Sequence, residues 1–278
     1  MVTRIISAAV GIVIVLLILF LHHTIVLPIC AGIIALILMI EFLRVNNLMR
    51  YRLSSAGALI LAAGLPILTD GLRSRFRMML CVACVTLLLI DYVRHETRMS
   101  AKTFFTFAGG MLMIGIPMSA VVTLNNTHEQ HGVAYVVLAL GGAWIADSGA
   151  YFIGTFAGKH KLCPNISPKK TVEGFVGGII TNVIFFVLFN LVYSLICKSN
   201  GTALTISWAS TVIMGMACAV LGTLGDLSAS VLKRQLEIKD FGKLMPGHGG
   251  LLDRFDSVML VLPFFCAYVQ ATSFFNII

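Results

Sequence analysis

The sequence predicts an all-α polytopic membrane protein, and three observations lead there. Of its residues 58% are hydrophobic and only 12% charged, with a mean hydropathy of +0.96, where soluble domains carry about 25% charged residues. Apolar runs of spanning length recur from end to end. The polar stretches between them reach only about 15 residues, too short to enclose a separate soluble core. About nine transmembrane helices result, each needing about 20 mostly apolar residues.

The first span is read at about Ile5 to Leu21. Arg4 precedes it as in a signal peptide, but no small-x-small cleavage site follows, so an uncleaved span is expected. The second runs from about Ile25 to Leu43 with Glu41 near its end. The third, Ser54 to Leu68, is short and carries Gly64 and Pro66, which predict a bend. The fourth is about Met78 to Val93, ending near Asp91, and the fifth about Phe104 to Leu124 around Pro117. These make residues 1–130 a transmembrane scaffold, and 131–278 are expected to form a catalytic region of four spans. The sixth span, Val133 to Phe156, holds Asp147; the seventh is Phe175 to Ile196. The eighth, Ile206 to Leu232, holds Asp226, and the ninth, Leu251 to Phe275, opens with Asp253, Arg254 and Asp256.

Lysine and arginine in short loops set orientation. The loops Arg44–Arg52, Arg94–Lys102, Lys159–Lys170 and Lys233–Lys243 are basic, whereas 125–131 and 199–206 are nearly free of Lys and Arg. Alternation puts the N-terminus in the cytoplasm, with the cell membrane as the site. Arg73, Arg75 and Arg77 fall on the wrong side of this scheme: either the third span is re-entrant or paired differently, or the loop is a tolerated exception. The net charge of +8 would suggest nucleic acid in a soluble protein; here it reads as basic loops facing anionic lipid, with no nucleic-acid partner. The seven cysteines form no framework: Cys81 and Cys84 lie inside an apolar run and read as small buried hydrophobes. Glu41, Asp70 and Asp91, near helix ends, read as interfacial, and the adjacent His22 and His23 do not have metal-ligand spacing on a helix.

The charged residues concentrate late in the chain. Asp226, Ser230 and Lys233 stand at i, i+4 and i+7, one face of a helix. An acid, a hydroxyl and an ammonium at that spacing suit a metal ion and a phosphate; the plainer reading is an internal Asp–Lys pair. Asp253 and Asp256, at i and i+3, share a face at a helix start, where the dipole alone would favour them. Two acidic faces would offer hard oxygens suited to Mg²⁺ shared with substrate phosphates. Lys239 to Gly250 carries four glycines and a proline, so its N–H groups are expected to turn toward phosphate, unless it is only a flexible polar loop. In the second polar patch, Asp147, Tyr151 and Gly154 share a face, Gly154 and Gly158 suggest close helix packing, and Lys169 and Lys170 suit a triphosphate. Thr171 and Glu173 resemble a helix-start signal.

Residues 228–256, SASVLKRQLEIKDFGKLMPGHGGLLDRFD, resemble the signature of the phosphatidate cytidylyltransferase (CDP-diglyceride synthase) family. The match runs through Ser230, Lys233-Arg234, Lys239-Asp240, Gly242, His248-Gly249-Gly250 and Asp253-Arg254-Phe255-Asp256, with Met245 as a volume-conserving departure. The segment Ser167 to Gly178 looks like the family's second polar segment.

The resemblance implies transfer of a cytidylyl group from CTP to phosphatidic acid, with Mg²⁺ as cofactor and room for a second metal or a monovalent cation. It implies a metal held by Asp226 and Asp253, with Asp256 and Asp147 as further acids. Lys233, Arg234, Lys239 and Arg254 would bind phosphate. Ser230 and Asp240 would stand at the substrate, His248, Gly249 and Gly250 would shape the nucleotide loop, and Lys169 and Lys170 would meet the triphosphate or lipid head group. Membrane lipids are the surrounding partners, and small-residue faces allow a homodimer. Three other readings fit less well. The CDP-alcohol phosphotransferase pattern is absent from the sequence. A transporter would place its polar site near the midplane in two repeated halves, and a lipid binder without catalysis would not need Asp226, Asp253 and Asp256.

Overall fold

The computed structural model describes residues 11, 13–69, 75–127, 131–202, 204–245, 249–272 and 274–277. The start of the expected first span, Asp70, Arg73 and His248 lie outside them; residues 13–20 are helical. In chain order the helices are α1 (Val26–Val45), α2 (Arg52–Ile67), α3 (Arg75–Arg94), α4 (Ala101–Thr127), α5 (Gly132–Ala157), α6 (Val172–Ser199), α7 (Trp208–Gln235), α8 (Leu252–Phe255) and α9 (Val258–Ala271). Two short antiparallel pairs supply the named strands among the described residues: β1 (Lys161–Cys163) with β2 (Ser167–Thr171), and β3 (Leu204–Ile206) with β4 (Phe275–Ile277).

The chain is an all-α polytopic membrane protein, as hydrocarbon demands of a backbone that must satisfy its own N–H and C=O groups. Among the described residues six helices, α1 and α3 to α7, are long and apolar enough to cross a bilayer. Helices α2 and α9 are apolar but shorter, at 16 and 14 residues. The expected ninth span is not one helix. It breaks at Asp256 and Ser257, between α8 and α9, where Asp256 Oδ1 accepts the Ser257 N–H at 2.8 Å. Such local side-chain bonding competes with the helix ladder.

Two compact units emerge. One comprises Met1–Asn126 with Leu236–Phe255; the other comprises Thr127–Gln235 with Asp256–Ile278. The stretch 236–255, which the sequence assigns to the C-terminal region, therefore clusters with the N-terminal helices.

In the first unit, buried acids cap helices. Asp91 of α3 is 2% exposed, and its Oδ2 accepts both the N–H and the hydroxyl of Ser54, each at 2.9 Å. Ser54 lies in the first turn of α2, whose preceding residue Tyr51 gives no side-chain cap. A distant carboxylate thus does the work of a local cap for orphan N–H groups. His95 Nδ1 lies 3.1 Å from Asp91 Oδ1.

In the second unit, small residues set the spacing. A Cβ at Gly174 would stand 2.7 Å from the Ala150 carbonyl oxygen, and one at Gly178 would stand 2.8 Å from that of Ala146. The two glycines are one turn apart on α6 and face alanines one turn apart on α5, so the backbones come close. Helix α6 is held to α7 by Asn182 Nδ2 donating to the Gly215 carbonyl at 2.7 Å and by Asn190 Nδ2 donating to Thr211 Oγ1 at 2.8 Å. Both asparagines are fully buried, where a polar side chain must find a partner.

The seam makes a directional prediction. Gly178→Ala should destabilise by about 1–3 kcal/mol through overpacking, although alanine is the better helix former. Gly109→Ala, on α4 with nothing within 4 Å of the added methyl, should be neutral or stabilising. Thermal midpoints in detergent decide it; equal behaviour of the two variants rejects the seam.

Candidate active site

The second unit brings together most of the polar residues singled out by spacing. Helix α7 carries Asp226, Ser230 and Lys233 on one side. The β1–β2 hairpin, leading into α6, carries Lys169 and Lys170, and α5 carries Asp147. The turn before α9 carries Asp256. The hairpin's end is fixed where Thr171 Oγ1 accepts the Gly174 N–H at 3.1 Å, capping α6. Glu173 does not complete a reciprocal capping pair. It reaches the Lys159 N–H at 3.0 Å, the His160 N–H at 3.1 Å and His160 Nδ1 at 2.6 Å, closing the base of the hairpin.

The geometry is that of two carboxylates and two ammonium groups. Lys170 Nζ lies 2.6 Å from Asp226 Oδ2, and Lys233 Nζ lies 3.9 Å from Asp256 Oδ2. The Lys170 Nζ is shielded from solvent, yet it makes no hydrogen bond of good geometry. Its approach to Asp226 is thus a charge contact that leaves its donors poorly used. Ser230 Oγ stands 3.5 Å from Asp226 Oδ1, at the limit of a hydrogen bond. Arg234, exposed, points its Nε at the Ile166 carbonyl of the hairpin, 3.4 Å away. Burial and then the charge of Asp226 push the Asp256 carboxyl up to about 7, against the pull of Lys233 and the Ser257 N–H, with Asp147 adding to the push. An acid held up in this way by burial and by a neighbouring carboxylate favours a cation beside it.

Gly225 makes this proximity attainable. A Cβ there would lie 2.5 Å from the Asp256 carbonyl oxygen and 3.2 Å from Ser257 Cα, so α7 meets the turn backbone to backbone. Spacing rules did not single out Gly225, because an isolated glycine in an apolar helix carries no signal of what lies opposite.

The signature loop belongs to the first unit and is folded around two carboxylates. Asp253, 9% exposed, accepts the Phe241 N–H at 2.8 Å and the Gly250 N–H at 3.0 Å, both on Oδ2. Glu41 of α1, 7% exposed, accepts the Leu251 N–H at 3.0 Å on Oε1 and the Leu252 N–H at 2.8 Å on Oε2. These four N–H groups answer protein carboxylates; of the loop from Lys239 to Gly250, that engages the amides of Phe241 and Gly250. Asp253 and Asp256 also do not share one helix face: the break after Phe255 leaves one in α8 and the other in the turn. Gly249 has φ +86°, a conformation natural to glycine, and its backbone passes the Asp240 side chain. Lys239, Asp240 and Arg254 are exposed. Glu41, read from sequence as interfacial, is the loop residue that periodicity missed. Nothing in its neighbourhood announces partners about 210 residues away.

Hard carboxylate oxygens suit Mg²⁺, which is ordinarily held by one or two carboxylates plus substrate phosphates. Asp226 and Asp256 match that requirement. Among the described residues no three His, Cys, Asp or Glu side chains come together as a metal-binding group.

A family model described as the cytidylyltransferase family matches residues 2–272. A phosphatidate cytidylyltransferase of Bacillus subtilis (strain 168) is 40% identical over 181 residues, 64% of this chain and 63% of its own. One from Staphylococcus saprophyticus is 38% identical over 187 residues, 64% of this chain and 66% of its own. One from Staphylococcus aureus (strain COL) is 35% identical over 247 residues, 86% of this chain and 87% of its own. The first two matches thus span just under two thirds of those relatives' length.

The raised Asp256 predicts a pH dependence. Without divalent ions the unfolded chain ionises this carboxyl near its ordinary value of about 4, while the folded chain keeps the proton to about pH 7. The folded state then binds more protons across that window, so stability falls as pH rises through it. Thermal midpoints in detergent with EDTA, scanned from about pH 4 to pH 8, should decline less steeply for Asp256→Asn than for the native chain. Parallel profiles reject the shift.

Proposed function

The chain belongs to the cytidylyltransferase family, and from that premise we propose that it is a phosphatidate cytidylyltransferase, a nucleotidyltransferase that makes CDP-diacylglycerol and pyrophosphate from CTP and phosphatidic acid. The observation that carries the reading is the meeting of Asp226 and Asp256 with Lys170 and Lys233 in the second unit. Each lysine has a carboxyl group as its present partner.

A phosphate oxygen of the lipid attacks the α-phosphorus of CTP, and the bond from that phosphorus to the bridging oxygen of the β-phosphate breaks. Pyrophosphate leaves in line. No enzyme nucleophile is needed, so the residues bind, orient and neutralise. Asp226 and Asp256 would hold Mg²⁺, which would supply charge neutralisation at the phosphates. As a triphosphate arrives, Lys170 exchanges the Asp226 carboxylate for a phosphate oxygen, using donors that the 2.6 Å charge contact leaves poorly aligned. Lys233 does the same from Asp256. Arg234, Lys169, Lys239 and Arg254 hold the remaining phosphate oxygens, and Asp147 strengthens the field that keeps a cation in place. Ser230 orients Asp226. Asp240, His248, Gly249 and Gly250 border the nucleotide. The protein resides in the cell membrane with these residues facing the cytoplasm, where the basic loops meet anionic lipid and CTP is at hand. A homodimer through small-residue faces and an assisting monovalent cation are consistent with this reading.

Purified protein in micelles, given CTP, phosphatidic acid and Mg²⁺, should form CDP-diacylglycerol in a Mg²⁺-dependent way. Asp226→Asn and Lys170→Met should each lower kcat/KM by roughly 10²-fold or more, as expected for loss of charge stabilisation at a phosphoryl centre. Asp253→Asn separates two roles: a raised Mg²⁺ requirement places Asp253 at the ion, and a lowered rate at unchanged Mg²⁺ requirement places it in the loop alone. A folded sample without product under any of these conditions would favour a lipid binder or transporter.

A further inference from the structure

We infer that Glu41, on a helix about 200 residues before the signature, is the positioning residue that holds the signature loop in its working shape. The inference rests on the cytidylyltransferase reading above and concerns the same site. Three observations within the first unit carry it.

The first is the bidentate grip. The two Glu41 oxygens take the Leu251 and Leu252 N–H groups at 3.0 and 2.8 Å, one oxygen to each. A pair of N–H bonds to one planar carboxylate fixes direction as well as distance. The second is the fit of two signature glycines. A Cβ at Gly242 would strike Glu41 Oε1, and one at Gly250 would lie 2.7 Å from Glu41 Oε2 and 2.6 Å from the Gly242 nitrogen. The small residue at 242 and the second glycine of His-Gly-Gly thus make room for this carboxylate, a requirement distinct from phosphate binding. The third is the relay to Asp253. The Gly250 N–H goes to Asp253 Oδ2, so Glu41 and Asp253 hold successive amides of one strip, 250 to 252, and the Asp253 oxygen also gathers Phe241 from the loop's other limb. Removing Glu41 leaves one buried and one part-buried N–H group without acceptors at the point from which Asp253, Arg254 and Asp256 follow in the chain, and such orphans open the backbone to water.

Glu41 touches no reacting atom in this scheme; it acts through the loop. The test joins a structural and a kinetic readout on the full chain in micelles. Hydrogen exchange of peptides covering 249–255 should accelerate about tenfold or more in Glu41→Gln, which keeps one acceptor, and further in Glu41→Ala, the loss expected for bonds to a charged acceptor. CDP-diacylglycerol synthesis should fall in the same order, roughly 10- to 100-fold, as for a displaced catalytic group. Ser54→Ala is the control. It weakens the same unit at the Asp91 cap, away from the loop, and should lower the thermal midpoint without changing exchange at 249–255 or turnover. Unchanged loop exchange in Glu41→Ala overturns the inference, and so does a loss of turnover that Ser54→Ala reproduces at an equal fall in midpoint. A native chain with no CDP-diacylglycerol activity would sink the functional reading, while the exchange arm still decides whether Glu41 orders the loop.

Discussion

A carboxylate removed from water must be answered by donors or cations within reach, and this constraint organises the molecule. Left alone, each such charge costs several kcal/mol. The chain answers five of them in two different ways. Glu41, Asp91 and Asp253 are answered by backbone N–H groups, which ties loops and helix starts to distant helices. Asp226 and Asp256 are answered by ammonium groups. The distinction separates architecture from chemistry. A backbone amide cannot leave its carboxylate without unfolding something, whereas a lysine on a four-carbon stem exchanges one anion for another at little conformational cost.

Close helix approach serves the second kind of answer. Gly174 and Gly178 seat α6 on α5, and the hairpin that ends at Thr171 carries Lys170 into place beside α7. Gly225 then lets the turn at Asp256 reach α7. Small residues do not bind anything here; they set the separations at which two pairs of opposite charges come within contact. Asn182 and Asn190, further along α6, hold it to α7 by hydrogen bonds.

Much of this was legible in the sequence, and for identifiable reasons. Long apolar runs mark helices because a membrane leaves no other choice, and α4, α5, α6 and α7 differ from expectation by two or three residues at most ends. The i, i+4, i+7 spacing put Asp226, Ser230 and Lys233 on one side of α7. What spacing could not supply was partnership at long range. It placed Lys170 near phosphate without naming Asp226 as its present partner. It read Asp253 and Asp256 as one face because nothing in LDRFDS announces a break at Asp256. It could not tell that Gly242 and Gly250 admit a carboxylate from another helix, since such a glycine and one that admits a ligand look alike in one dimension. The β1–β2 and β3–β4 pairs went unforeseen because runs of three to five residues lie below the length at which alternation is distinguishable from chance.

The division of the chain has a consequence for its birth. One unit is assembled from Met1–Asn126 and Leu236–Phe255, two stretches that are far apart in chain order. At a ribosomal pace of about 5–20 residues per second, Glu41 enters the bilayer roughly 10–40 s before the amides of Leu251 and Leu252 exist. During that interval the early helices are a workpiece with an open socket, holding an acid that has no designated donors. Biogenesis is therefore a matter of timing as well as of sequence: the first part of the protein to be made is the last to be finished.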